Sequence, residues 1–167
     1  YGENDLEDAE EFSYDGNNRI IHHVVVTPDG NTVSEESYAY ESDSITVTKR
    51  SEDGEIVEKH HLENNLPILI QLYQDGSCIS EIGREYDDQK RLVKETVTEL
   101  ETLVTEREFR YDEKGNRTYE EIRDHRYRRL QKTEREFNPD GLLSIERFFS
   151  TFGNARRFLI LPSVLSS

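Results

Sequence analysis

Little in this sequence could build a thick core or a covalent framework. A single cysteine, Cys78, excludes intramolecular disulfides and a cysteine-based zinc site, and its alternating neighbours mark it as a small buried hydrophobe. Hydrophobic residues are only 33% of the 167, against a usual apolar share of about 45–50%. That excludes a large globular enzyme and predicts a thin, solvent-washed architecture or partial disorder. No apolar run reaches the roughly 18 residues of a membrane span; the longest, 66–73 and 158–165, are interrupted. A soluble chain is expected. Met is absent even from position 1, so a processed or cut start is expected, and a leader ahead of Tyr1 would already be gone.

Basic charge is scarce where acid is dense. The net charge is −15. Residues 1–60 hold 16 acidic and 4 basic side chains, 61–100 hold 8 and 4, and 101–167 hold 12 and 13. Such a field attracts basic proteins and repels phosphates and anionic membranes within a Debye length of about 8 Å. Nucleic acid is therefore not an expected partner. The Arg-rich stretch Arg123, Arg126, Arg128, Arg129, Lys132 and Arg135 interleaves with Glu134 and Glu136, as a cross-strand charge ladder does. Residues 1–11, with six acidic side chains, read as a solvated lead.

What is abundant is turn chemistry. Asp15-Gly16, Asp29-Gly30, Asp53-Gly54, Asp75-Gly76 and Asp140-Gly141 are Asp-Gly steps, which supply the positive φ of tight hairpin turns. Further turns are expected at 87–90 and around Asp112 and Gly115, where Asn116 of the sequon Asn116-Arg117-Thr118 has a sufficient backbone role. Between the turns the chain alternates with a period of two, as in Leu103, Thr105, Arg107, Phe109 and Tyr111 against Val104, Glu106, Glu108 and Arg110. Residues 90–108 are rich in Glu, Leu and Lys like a helix, yet Thr96, Val97, Thr98 and Val104 favour strand. The expectation is all-β: an antiparallel meander of about eleven strands of roughly six to ten residues.

Several turns share one phrase: Tyr14-Asp15-Gly16-Asn17-Asn18-Arg19-Ile20, Tyr86-Asp87-Asp88-Gln89-Lys90-Arg91-Leu92, Tyr111-Asp112-Glu113-Lys114-Gly115-Asn116-Arg117, and Phe137-Asn138-Pro139-Asp140-Gly141-Leu142. The aromatic closes one strand, Asp caps the turn, Gly takes the left-handed position, and the next aliphatic residue re-enters the sheet. The phrase resembles the YD repeat of the Rhs family, over roughly residues 12–149. The resemblance implies a repetitive antiparallel sheet from a bacterial protein, often secreted or surface-associated and tied to toxin systems. Large members are similar to a closed shell. About eleven strands at roughly 4.8 Å spacing are too few for one, so an open curved sheet or half-barrel is expected. The domain expectation is an acidic lead at 1–11, the repeat sheet at 12–149 and an apolar tail at 150–167. The tail is a final strand or a clasp over the sheet's apolar face; the alternative is an exposed recognition strand.

The chemistry-bearing residues suggest binding and not catalysis. His22-His23 and His60-His61 lie seven and eight residues after Asp15 and Asp53, but neighbours on a strand face opposite sides. The two strands would stand about three positions, or near 14 Å, apart, so these are expected to be sheet surface and no metal or other cofactor is expected. His125 stands alone. No nucleophile elbow, zincin or phosphate-loop motif occurs, and an enzyme is not expected. The expected partner is a basic protein held by the acidic amino-terminal half, with Glu35, Glu36, Glu41 and Asp43 as contacts, in the manner of an immunity protein that neutralises a toxin. The alternative is a secreted or cell-envelope structural module that binds glycan through Tyr38 and Tyr40.

Overall fold

Five connections in this chain take the same form because one side chain can stand in for missing backbone partners. The computed structural model describes residues 8–152 and 155–161. In the loops 15–19, 27–31, 87–91, 112–116 and 138–142, the first residue's N–H donates to the carbonyl of the fifth. The fourth residue's N–H donates back to the carbonyl of the first. The fourth residue, Asn18, Gly30, Lys90, Gly115 or Gly141, has φ between 59° and 87°. The first residue, Asp15, Thr27, Asp87, Asp112 or Asn138, accepts the fifth residue's N–H on its side chain. Gly16 was expected to take the left-handed position, but Asn18 takes it instead. Asp29 and Asp140 sit third in their loops, so Thr27 and Asn138 do the capping there.

Between turns the chain is all strand, with no helix among the described residues. Contacts divide it into two units, residues 1–80 and 81–167. The first contains β1 (Ala9–Tyr14), β2 (Ile20–Val26), β3 (Thr32–Tyr40), β4 (Ser44–Ser51), β5 (Gly54–Glu63) and β6 (Leu66–Gln74). From β1 to β6, each strand pairs antiparallel with the next. The chain passes to the second unit along β7 (Ser77–Tyr86). There β8 (Leu92–Glu99), β9 (Thr102–Tyr111), β10 (Arg117–Asp124), β11 (Arg129–Phe137), β12 (Leu143–Phe152) and β13 (Ala155–Leu161) repeat the pattern. The expected antiparallel meander is present, with thirteen strands among the described residues where about eleven were expected. Two of the connections that have no Asp-Gly step are two-residue loops. At Asn64-Asn65 and Leu100-Glu101 both residues have positive φ, as two-residue hairpin loops of type I′ require. The strand β1 begins inside the stretch read as a lead, and residues 155–161 form a ladder with β12. Residues 1–7 and 162–167 of the lead and tail lie outside the described residues.

Strands paired side by side bury little. Among the described residues the buried apolar side chains are Val47, Ile70, Val104 and Phe109, and no side chain is less than 2% exposed. Cys78, expected to be buried, is exposed. It is the second residue of β7, just past the Asp75-Gly76 turn, at the end of the strand.

Two of the turns also build a clasp, one in each unit among the described residues. Asp15 accepts Arg19 Nε and Nη2, both at 2.7 Å, and Arg19 lies 4.2 Å from the centre of the Tyr40 ring. The Tyr40 hydroxyl donates to the Ile20 carbonyl at 2.9 Å. Likewise Asp87 holds Arg91 at 2.7 Å, Arg91 lies 4.7 Å from the Tyr111 ring centre, and the Tyr111 hydroxyl donates to the Leu92 carbonyl at 2.9 Å. The fork of a guanidinium suits both roles, pairing a carboxylate in its plane and stacking on an aromatic with its face.

Candidate functional site

Alternation separates the six residues expected to bind a partner. Glu35 and Glu36 are neighbours on β3 and point to opposite faces of the first unit. Glu35 joins His22, whose Nε2 is 2.8 Å from its Oε1, and Arg50 Nη1 at 3.9 Å. The His22 hydrogen bond is the main cause that holds the Glu35 carboxyl below its ordinary value. Glu36 and Tyr38 lie on the other face. The Tyr38 hydroxyl donates to Glu36 Oε2, and this bond, with burial and the neighbouring carboxylates, pushes the phenol up to about 12. Tyr40 is committed to its clasp. Glu41 and Asp43 occupy the β3–β4 turn, accepting from Ser44 Oγ at 3.0 Å and Ser42 Oγ at 3.4 Å. The six therefore divide between two faces and a turn.

What the register brings together is a different set. Cross-strand partners share a face, so Phe12, His23, Glu36, Lys49 and Ile56 form one row across β1 to β5. The His23 ring stacks on Phe12, centroids 4.4 Å apart. Its Nδ1 is 3.8 Å from Glu36, and its Nε2 is 3.3 Å from Glu10 without hydrogen-bond geometry. Lys49 Nζ lies between two carboxylates, 3.9 Å from Glu36 and 3.6 Å from Glu58. Glu58 in turn meets His60 Nε2 at 2.6 Å. The same face carries Val47 and Ile70, both buried apolar side chains of this unit. Lys49 and Glu58 were missed by sequence reasoning. The signal for them was register: once the β4–β5 turn is placed at 52–53, pairing follows outward residue by residue.

Each His pair straddles its strand. His22 and His61 face one side with Glu35 and Gln71, and His23 and His60 face the other. Among the described residues no group of three or more His, Cys, Asp or Glu is placed to hold a metal ion. A shallow depression of about 340 Å³ opens near the β4–β5 turn, lined by Glu35, Glu36, Lys49, Arg50 and Ile56 among others.

The second unit spends its charge internally. Glu95, buried, sits between Arg84 Nε and Arg107 Nη1, each at 3.0 Å. Glu121, 3% exposed, meets Lys132 Nζ at 2.7 Å, Arg123 Nη2 at 2.5 Å and the Tyr119 hydroxyl at 2.6 Å. Burial alone would raise the Glu121 carboxyl, but the hydrogen bonds from Lys132 and Tyr119 and the charge of Arg123 hold it below its ordinary value. In the Arg-rich stretch, Arg126 also pairs with Glu99 at 2.5 Å, Arg135 with Glu146 at 2.7 Å, and Arg129 stacks on Tyr127 at 4.9 Å.

No protein-family model matches the chain, and no curated protein matches it.

Proposed function

We propose that this chain is a non-enzymatic, protein-binding β-repeat module of YD-repeat type whose first unit captures a basic protein and neutralises it as an immunity protein does. The observation that carries the reading is the charge balance of the first unit, 18 acidic side chains against 4 basic ones. Turns that follow β2, β4 and β6 leave a meander from the same end. They present Asp29, Glu52, Asp53 and Asp75, none with a basic partner among the described residues. Carboxylates at a solvent-exposed rim add mainly to the rate of encounter and to its salt dependence.

A pull-down from the native source, followed by measurement of the recovered complex at rising salt, tests the reading. The expected result is a basic protein whose association slows steeply with salt, and about tenfold in the combined variant Asp29→Asn, Glu52→Gln, Asp53→Asn, Asp75→Asn. Recovery of no basic protein, or binding indifferent to salt, overturns it. The glycan reading draws no support from geometry. The Tyr38 hydroxyl is held by Glu36, and Tyr40 is engaged at its hydroxyl by Ile20 and at its ring by Arg19.

A further inference from the structure

The two faces of the first unit differ in kind. One bears Glu35, Arg50, Glu55 and Lys59 with Thr46 and Thr48, and its apolar groups, Val24, Val57, Leu69 and Tyr73, are half-buried with none buried. The other bears Val47 and Ile70, the half-buried Tyr38, Ile45 and Leu72, and two exposed large side chains, Phe12 at 44% and Ile56 at 38%. A sheet face rich in apolar groups ordinarily buries them against another layer, and the described strands of the first unit, paired only side by side, supply none. The charges on the apolar face narrow what could cover it. Glu10, Glu36 and Glu58 share it with one ammonium, Lys49. A second copy of the face would bring carboxylate against carboxylate, and an anionic lipid surface would be repelled for the same reason.

We infer that the face running from Phe12 to Ile56 docks a protein segment that presents apolar side chains together with lysine or arginine, the apolar groups covering Phe12 and Ile56 and the cations meeting Glu36 and Glu58. The inference rests on the reading above, and names the surface and chemistry by which the basic partner is held. Ile56 anchors one end of the row, and its exposure makes it removable at little cost to the sheet.

Three short peptides serve as probes, alternating leucine with lysine, serine with lysine, and leucine with glutamate. Their binding to the whole chain is followed by fluorescence anisotropy. The leucine–lysine peptide should bind about tenfold more tightly than either of the others. Ile56→Ser should weaken it roughly tenfold while leaving the weak serine–lysine binding unchanged. Glu36→Gln with Glu58→Gln should flatten its salt dependence. Equal binding of the leucine–lysine and serine–lysine peptides overturns the inference, as do binding of anionic vesicles and a self-associated form that Ile56→Ser dissolves. If Ile56→Ser is silent but the turn variant loses the leucine–lysine peptide, the docking face is wrong and the basic-partner reading stands. If neither lysine peptide binds, both fail.

Discussion

Both units carry 18 acidic side chains, yet the first sets four basic side chains against them and the second seventeen. The same turns, the same Arg–Tyr clasp and the same antiparallel pairing therefore support opposite electrostatic designs. In the second unit, carboxylates on both faces are bracketed by guanidinium and ammonium groups: burial of Glu95 is compensated by two groups, Arg84 and Arg107 on the strands either side, and burial of Glu121 by three, Lys132 on β11 and Arg123 and Tyr119 on its own strand. In the first, four basic side chains serve 18 acidic ones, and Asp29, Glu52, Asp53 and Asp75 stand at the turns without a cation among the described residues. The architecture is thus indifferent to charge, and charge is free to specialise one unit for contact with something outside the chain.

The sharpest way to break this comparison is to delete an acid from each side. Glu121→Ala should cost the second unit about 2–3 kcal/mol in chemical denaturation, because Lys132 and Arg123 lose the carboxylate that holds them and Tyr119 loses its acceptor. Glu36→Gln should change stability by no more than about 0.5 kcal/mol, since it removes one charge from a surplus. Equal costs would mean that the units do not differ as described.

A turn exchange sharpens the comparison from the backbone side. Leu100 and Glu101 hold φ of 46° and 62°, and Leu100 is 74% exposed. Replacing them with Asn and Gly should raise stability by about 1–2 kcal/mol, read as a shifted denaturation midpoint. In the first unit the equivalent loop is already Asn64-Asn65, and Asn65→Gly should gain only a few tenths of a kcal/mol.

Acid should divide the units next. Asp87, Asp112 and Glu121 are held below their ordinary values of 3.8, 3.8 and 4.5, Asp87 chiefly by the Arg91 side chain and Asp112 chiefly by that of Asn116. A lowered carboxyl contributes stability that is complete above its ordinary value and disappears as pH falls through the folded one. The first unit has lowered carboxyls too, at Asp15 and Glu35, but these are two against three, and neither is buried as Glu121 is. Amide hydrogen exchange at pH 5 and pH 3, corrected for intrinsic rates, should show β8–β11 losing more protection than β2–β5. The smallest effect should come from salt: raising ionic strength should protect the first unit's amides slightly by screening its surplus, and leave the second unit's unchanged or weaker.

Much of this architecture was legible, for physical reasons that particular residues make plain. Asp87 and Asp112 announce their loops because a carboxylate that accepts two backbone N–H groups is hard to replace. The alternation of 103–111 announces β9 because one face is wetter than the other. Leu100-Glu101 announces nothing, since a left-handed Leu follows from the pairing of β8 with β9 and not from its own preference. The candidate site was less legible. Glu35, Glu36 and Tyr38 were singled out as a cluster of similar groups, whereas the sheet groups residues by register and places Glu36 with Lys49 and Phe12. Composition shows that charge is abundant; only strand pairing shows which charges meet.

The guanidinium of Arg91 touches two successive hairpins, pairing with Asp87 in its own loop, stacking on Tyr111 and donating to the Asp112 carbonyl at 3.1 Å in the next. Lys114 repeats the reach, from its loop to the Pro139 carbonyl in the one after. Mechanical force applied to one hairpin of this stretch would thus be shared with the following one before any strand peels away, so that these hairpins of the second unit yield together although few of their side chains are buried.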